Sequence, residues 1–198
     1  SFMGLKHRVE ESDNVVVQKS LEVGEEARDF ASSLRSRILP ESETASALRK
    51  VREVDPYFDE ADFAEYIRTS FAPTFLTAII EGDVQTIAGL SGESQYRQLL
   101  TAVKQRKASG LVLDSHILDV RQVEFREAKA EGSDVTIVFT FVAQQTHCVR
   151  RVSTGEVTEG DVDDVQAVHY YAVFKAGGTG EVPWRCAQLQ MIGSFAQW

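Results

Sequence analysis

The stretch 135-VTIVFTFVAQQTHCVRRV-152 has the strongest strand pattern in the chain. Apolar side chains alternate with other residues along its first half, at Val135, Ile137, Phe139 and Phe141. Alternation with a period of two is typical of a β-strand that buries one face. The stretch therefore predicts a long strand, and it sets the fold class of this half of the chain.

Three further strand patterns surround this stretch. Residues 111–125 form the first, with a bulge expected near Arg121, and a turn at residues 131–134 joins it to the stretch above. The other two patterns lie at residues 165–175 and 184–195. Consecutive strands joined by turns form an antiparallel meander. The sequence therefore predicts a four-stranded antiparallel sheet whose inner face is covered by helices.

Before Gly110 the apolar residues recur at helical spacing instead. Helices are predicted at residues 14–39, 44–54, 59–82 (with a break or kink at Pro73), 83–90 and 93–110. Phe63, Tyr66, Ile67 and Phe71 are expected on one face of the third helix. A block of helices followed by a block of strands implies an α+β architecture. We predict two regions, leading amphipathic helices over residues 1–55 and an α+β domain over residues 56–198.

The predicted helix at residues 14–39 carries one apolar stripe. Its members are Val16, Val23, Ala27, Phe30, Leu34 and Ile38. The stripe either covers the domain core or forms a surface for a membrane or a partner, and the residues alone favour neither. Basic side chains gather towards the junction with the next helix, at Arg35, Arg37, Arg49, Lys50 and Arg52. Each cation near an anionic lipid surface adds about 1 kcal/mol.

Composition limits the classes of function. The chain has 198 residues with a formal net charge of −9, which argues against nucleic acid as the main partner because phosphate binding needs basic surface. Its two cysteines lack the spacing of a zinc site. Ser1 and Phe2 precede Met3 as an expected cloning remnant, and no targeting signal is evident. The chain is therefore expected to be a piece of a longer protein.

The acidic stretch 155-GEVTEGDVDDV-165 suggests either a metal site or a hairpin turn. An EF-hand loop that began at Glu159 would need Gly at its sixth position and Glu at its twelfth. Asp164 and Tyr170 occupy those positions. The sequence therefore favours an acidic hairpin turn, with Gly155 and Gly160 in the positive-φ conformation that glycine tolerates.

Other candidates for chemistry are few. His147 and Cys148 are neighbours on a predicted strand, so their side chains point to opposite faces, although His169 on another strand could approach His147. One further cluster could supply acid–base chemistry, and surface strand residues explain it more simply: Asp114, His116 and Asp119. We find none of the common nucleotide, hydrolase or metalloprotease motifs, and predict no catalytic residue, metal or cofactor.

Several strings occur together in the order seen in one family: LKHRVEESDN, VREVDPYFDEADF, AIIEGDVQTIAGLSGESQYRQL, SHILDV, GEVTEGDVDDV and WRCAQLQM. They resemble the C-terminal domain of the mitochondrial import-motor scaffold, a peripheral subunit of the presequence translocase (the Tim forty-four-like domain family). The resemblance runs from about Leu5 to the end of the chain. It implies a cystatin-like (nuclear-transport-factor-like) fold, in which helices wrap the sheet into a cone with an apolar pocket.

The resemblance also implies a function. Members lie on the matrix side of the mitochondrial inner membrane, bind cardiolipin-containing membrane, and tether the matrix heat-shock chaperone to the channel subunits that admit a preprotein in transit. The family's membrane-contacting helices correspond to residues 14–39 and 44–54 here, and its chaperone-binding part lies largely before this chain. Two alternatives remain: a large-subunit mitochondrial ribosomal protein of the same fold, and a small-molecule-binding enzyme on the cone fold.

Overall fold

The computed structural model describes residues 41–177 and 183–196, with side chains from Thr44 to Phe195. Two compact units divide the chain, Ser1–Ile38 and Leu39–Trp198. The predicted helix at residues 14–39, with its stripe and its Arg35 and Arg37, lies outside the described residues. The predicted division at residue 55 stays a prediction. Among the described residues, no helix is long and apolar enough to cross a membrane.

Five α-helices and one π-helical turn precede the sheet in the described part of the chain. Their bounds are α1 Glu41–Val54, α2 Glu60–Tyr66, the π-turn Ile67–Phe71, α3 Ala72–Glu81, α4 Val84–Leu90 and α5 Glu93–Ala108. Asp59 caps α2, because its Oδ1 accepts hydrogen bonds from the amides of Ala61 (2.8 Å) and Asp62 (3.1 Å). Asp83 caps α4 in the same way. The predicted helices of this region are confirmed.

Pro73 is accommodated in a way that the sequence does not reveal. A proline within a helix lacks the amide hydrogen and crowds the carbonyl one turn earlier. The chain widens into a π-turn just before it, where the amide of Ala72 donates to the carbonyl of Ile67. Phe63, Ile67 and Phe71 all remain buried, so the apolar face continues through the irregular turn.

The sheet has five antiparallel strands, and it is four strands wide because the first two lie one after the other along the same side of the third. Its members are β1 Leu111–Leu113, β2 Ile117–Glu131, β3 Asp134–Arg151, β4 Val157–Ala176 and β5 Trp184–Ala196. Strand β3 lies between β4 on one side and both β1 and β2 on the other, and β5 forms the far edge. The predicted α+β class and sheet are confirmed, with the first strand divided in two. The predicted bulge is also present, since the register shifts between Arg121 and Glu124.

The first strand is interrupted at residues 114–116, where two side-chain hydrogen bonds are interleaved with the backbone bonds of Asp114 to Cys148 and of Thr146 to His116. Ser115 Oγ accepts a hydrogen bond from the amide of Cys148 (3.2 Å), and Thr146 Oγ1 accepts one from the amide of His116 (2.9 Å). Hydroxyl groups that bond to nearby backbone compete with the regular ladder in this way. The edge therefore breaks between Leu113 and Ile117.

The acidic stretch is not the turn that the sequence predicts. Strand β4 already begins at Val157, and the hairpin turn lies before it, around Gly155. Glu159 pairs across the sheet with Val149, and Asp161 with His147. This arm of the hairpin faces solvent, every residue from 151 to 163 being exposed. Carboxylates on such an arm stay hydrated, so a high acid content does not prevent a strand here.

Aromatic side chains fill the space between the helices and the inner face of the sheet. Phe63 lies at the centre, with ring centroids 5.3 Å from Phe139 and 5.1 Å from Phe174. Phe71 stacks on Phe75 at 5.1 Å and meets Phe174 edge-on at 4.8 Å. Tilted and edge-to-face pairs add about 0.5–1.5 kcal/mol each beyond area burial. The predicted inner face of β3 is confirmed by this packing, because Val135, Ile137, Phe139 and Phe141 are all buried.

Candidate functional site

Helix α1 presents a basic surface while its other face joins the core. Ala47 and Val51 are buried, Val51 completely. Arg49 and Arg52 are exposed and lie three residues apart, the spacing at which helical neighbours share a face. Both guanidinium groups are therefore available to an anionic surface. The apolar residues at the centre of α1 are already used in packing, so any membrane contact through α1 relies on charge.

Lys50 is only partly exposed and lines a groove between α1 and β2. The groove has a volume of about 360 Å³. Its lining comprises Ser46, Ala47, Lys50, Ala128, Lys129, Ala130 and Glu131. The Lys129 ammonium lies 2.6 Å from a carboxylate oxygen of Glu127, and Glu131 also lines the groove, so the groove is not strongly basic. Lys129 was not predicted, since only the docking of α1 on β2 places it near Lys50.

Of the residues predicted to bind a membrane or partner, the structure describes three, Arg49, Lys50 and Arg52. It brings them together on one turn of α1. The other members fall outside the described residues: Val16, Val23, Ala27, Phe30, Leu34, Arg35, Arg37 and Ile38. Their role stays a prediction.

The space between helices and sheet offers no acid–base pair within the described residues. The buried carboxylate of the described residues, Glu127, pairs with Val138 on the other face of the sheet, and its Oε1 lies 2.6 Å from Lys129 Nζ. Burial raises the pKa of the Cys186 thiol to about 12 and that of Tyr170 to about 12, although a hydrogen bond to Gln145 lowers the Tyr170 value in part. Both groups are therefore protonated at neutral pH and cannot serve as a thiolate or phenolate nucleophile.

Asp114, His116 and Asp119 do not form a site. Asp114 accepts a hydrogen bond from Arg150 Nε at 2.6 Å, and Asp119 pairs with Arg121. His116 is exposed at the break between β1 and β2. Two carboxylates that are each neutralised by an arginine fit the simpler interpretation of surface strand residues.

The two strand histidines are far apart. His147 pairs with Asp161, whereas His169 pairs with Val142, five positions along β3 from His147. At about 3.3 Å per residue the separation is roughly 16 Å, so the suggested approach is wrong. His147 Nε2 lies 3.0 Å from a carboxylate oxygen of Glu159. His169 meets the ring of Phe195 edge-on at 5.4 Å.

We expect Ca²⁺ or Mg²⁺ to change the thermal midpoint of unfolding very little. Glu159 already pairs with His147, and Asp161 Oδ1 accepts a hydrogen bond from the amide of Asp163 at 2.9 Å. No group of three potential metal ligands occurs among the described residues. Differential scanning calorimetry with and without each ion checks this, with chelator-treated protein as the control. Stabilisation by several degrees at sub-millimolar Ca²⁺ would contradict it.

Comparison with known proteins adds to this geometry. The family described as "Tim44-like domain" matches residues 44–191. Among curated proteins, the mitochondrial import inner membrane translocase subunit TIM44 of Mus musculus is 31% identical over 169 residues, which cover 85% of this chain and 36% of that protein. The Saccharomyces cerevisiae TIM44 is 25% identical over 177 residues, covering 88% of this chain and 39% of its own length.

The chain thus spans little more than a third of the length of the curated relatives it matches. One solved structure, the intermembrane space region of the chloroplast protein ARC6, superposes with a TM-score of 0.45. It does so over 69% of this chain and 98% of that chain, at 8% sequence identity.

Proposed function

Because the chain belongs to the Tim44-like domain family, we propose that it is a non-enzymatic scaffold of mitochondrial protein import. The observation that carries the proposal is the match of the family to residues 44–191, together with 31% identity to a translocase subunit over 85% of the chain. On this proposal the protein lies on the matrix side of the inner membrane. It assembles with the channel subunits of the presequence translocase, the matrix heat-shock chaperone and the preprotein in transit.

The described part of the chain supports a scaffold better than an enzyme. Its interior is packed with aromatic rings rather than polar groups, and its carboxylate–arginine pairs lie at the surface. The net charge of −9 and the translocase relatives favour an import subunit over a ribosomal protein.

The proposed membrane contact combines two elements. Arg49 and Arg52 on the exposed face of α1 supply charge, together with the partly exposed Lys50 on the same turn. The apolar stripe predicted for residues 14–39 inserts Phe30 and Leu34 into the lipid bilayer. Burying one such side chain contributes roughly 1.5–3 kcal/mol, so partial insertion gives reversible binding.

We expect the full chain to float with cardiolipin-containing vesicles and a version that begins at Leu39 to float much less. Residue 39 is the right boundary because removal of α1 would take the fully buried Val51 out of the core. Phe30→Ser with Leu34→Ser should weaken flotation even at high salt, since apolar insertion is not screened. Equal flotation of the full and shortened chains, or flotation of neither, would remove the membrane role from the leading helix.

Charge reversal of Arg49 and Arg52 to Glu should weaken flotation mainly at low salt. Losing two cations worth about 1 kcal/mol each reduces affinity by roughly 30-fold, the two added carboxylates reduce it further by repulsion, and salt screens both effects. Lys104→Glu with Lys107→Glu on the exposed surface of α5 is the matched control, because it changes net charge equally. If the control variant loses as much binding, the effect belongs to overall charge and not to α1.

A further inference from the structure

The two edges of the sheet differ sharply in chemistry. The β2 edge carries charges of both signs, including Arg121, Glu124, Arg126 and Lys129, and its pairing with β3 is broken by three register shifts. Natural sheets use charges and bulges of this kind to prevent pairing with another chain. The β2 edge is therefore protected against a second strand.

The β5 edge has little of that protection. Residues 186–198 contain no charged residue and no proline. A bulge between Met191 and Gly193 is its one irregularity beyond Leu189. Met191 and Phe195 are 46% and 64% exposed. An uncharged edge with exposed apolar side chains is a surface on which strands associate.

Helix α5 and its N-terminal loop satisfy only the first part of this edge. The amide of Gly92 donates to the carbonyl of Cys186 (2.8 Å), and the amide of Leu189 donates to Gln95 Oε1 (3.3 Å). Beyond Leu189, no hydrogen bond from another segment reaches the outer side of β5 in the described residues. Within the described residues, the backbone of 190–195 thus offers donors and acceptors along this side that no other described segment pairs with.

We propose that residues 190–195 pair antiparallel with the same residues of a second copy across a two-fold axis. Each copy carries a net charge of −9, so most faces repel one another, and the uncharged β5 edge is where close approach costs least. Antiparallel self-pairing is isologous, the commonest arrangement of homodimers. It needs no partner sequence other than the one present, and it brings Met191 and Phe195 under cover.

The contact is small. Six residues on each side bury less than the roughly 800 Å² per partner of a standard stable interface. The dimer is therefore weak and depends on concentration. Sedimentation equilibrium on the full chain should give an apparent mass that rises from 22.0 kDa towards twice that value as concentration increases. A constant mass of one chain at every concentration would overturn the proposal.

The edge is tested directly by Gln190→Lys with Ser194→Lys. Each substitution places a like charge near the two-fold axis, and the association constant should fall at least tenfold. The net charge moves from −9 to −7, so stronger overall repulsion cannot explain the loss. Gln98→Lys with Gln105→Lys, at exposed positions of α5, makes the same change in charge elsewhere and should leave association intact. Equal association of both variants would overturn the proposal.

Amide hydrogen exchange supplies a readout that does not depend on a variant. The amides of residues 190–195 should exchange more slowly at high than at low concentration, while those of β2 do not change. Circular dichroism melts confirm that both lysine variants are folded. A different result would exclude the dimer. In that case the exchange of these amides slows only after an unrelated extended peptide is added, the mass stays that of one chain, and the edge binds a strand of another protein.

Discussion

Gly160→Ala should destabilise the protein by roughly 3 kcal/mol or more, although it adds a single methyl group to an exposed strand. Gly160 has a φ of 70°, and a Cβ at this position would lie 2.0 Å from the carbonyl oxygen of His147. A left-handed conformation costs a non-glycine residue about 1–2 kcal/mol, and overpacking adds about 1–3 kcal/mol. The obstacle is backbone, so it cannot rotate away. Urea-induced unfolding, followed by circular dichroism, measures the change.

Gly155→Ala is the matched control for this substitution. Gly155 has nearly the same φ, 71°, but a Cβ there would meet no atom within 4 Å. Only the conformational cost remains, about 1 kcal/mol. If the two variants lose the same stability, the close approach of β3 and β4 at Gly160 is wrong.

Gly155 and Gly160 show what a sequence pattern can and cannot predict. Both glycines were expected to adopt positive φ, and both do. Their different surroundings follow from the pairing of β4 with β3, which begins at Val157 and not after the acidic residues. Acid-rich segments are typical of turns because strands usually bury one face. That argument fails for an arm of the sheet whose two faces are both hydrated.

The helical half was predictable because local signals and the core agree there. Asp59 and Asp83 are caps by residue type, and both accept amide hydrogen bonds. Phe63, Ile67 and Phe71 recur at helical spacing and are buried. The split of the first strand was not predictable, because it depends on Ser115 and Thr146 meeting backbone groups about thirty residues away.

The candidate site likewise has one part that the sequence predicts and another that depends on contacts between distant residues. The basic residues of α1 are adjacent in sequence, so their clustering needs only a helix. Lys129 lies on another element and joins Lys50 only when α1 packs on β2. Asp55 shows the same non-local dependence, since its carboxylate accepts a hydrogen bond from Trp184 Nε1 at 3.0 Å across 129 positions of the chain. No single-sequence pattern signals such contacts.

Phe63→Ala should lower the free energy of unfolding by about 3–5 kcal/mol, the usual cost of removing a buried phenylalanine ring. The side chain is 7% exposed, and its ring lies within 6.2 Å, centroid to centroid, of five other aromatic rings. Those rings belong to Phe58 in the connection before α2, Tyr66 on α2, Phe139 on β3, Phe174 on β4 and Trp184 on β5. Their mutual positions are set by this one ring, so the cavity cannot collapse without moving several elements.

The measurement is thermal and chemical unfolding of the full chain, with a fall in midpoint on the order of 10 °C for a protein of this size. Tyr57→Ala is the control, because Tyr57 is also aromatic and lies six positions earlier but is 93% exposed. Its loss should cost no more than about 0.5 kcal/mol. Phe63→Leu should recover part of the stability, since a smaller cavity remains. If Phe63→Ala is no worse than Tyr57→Ala, the ring does not organise the core, and the packing of α2 against β3 and β4 must be looser than these distances imply.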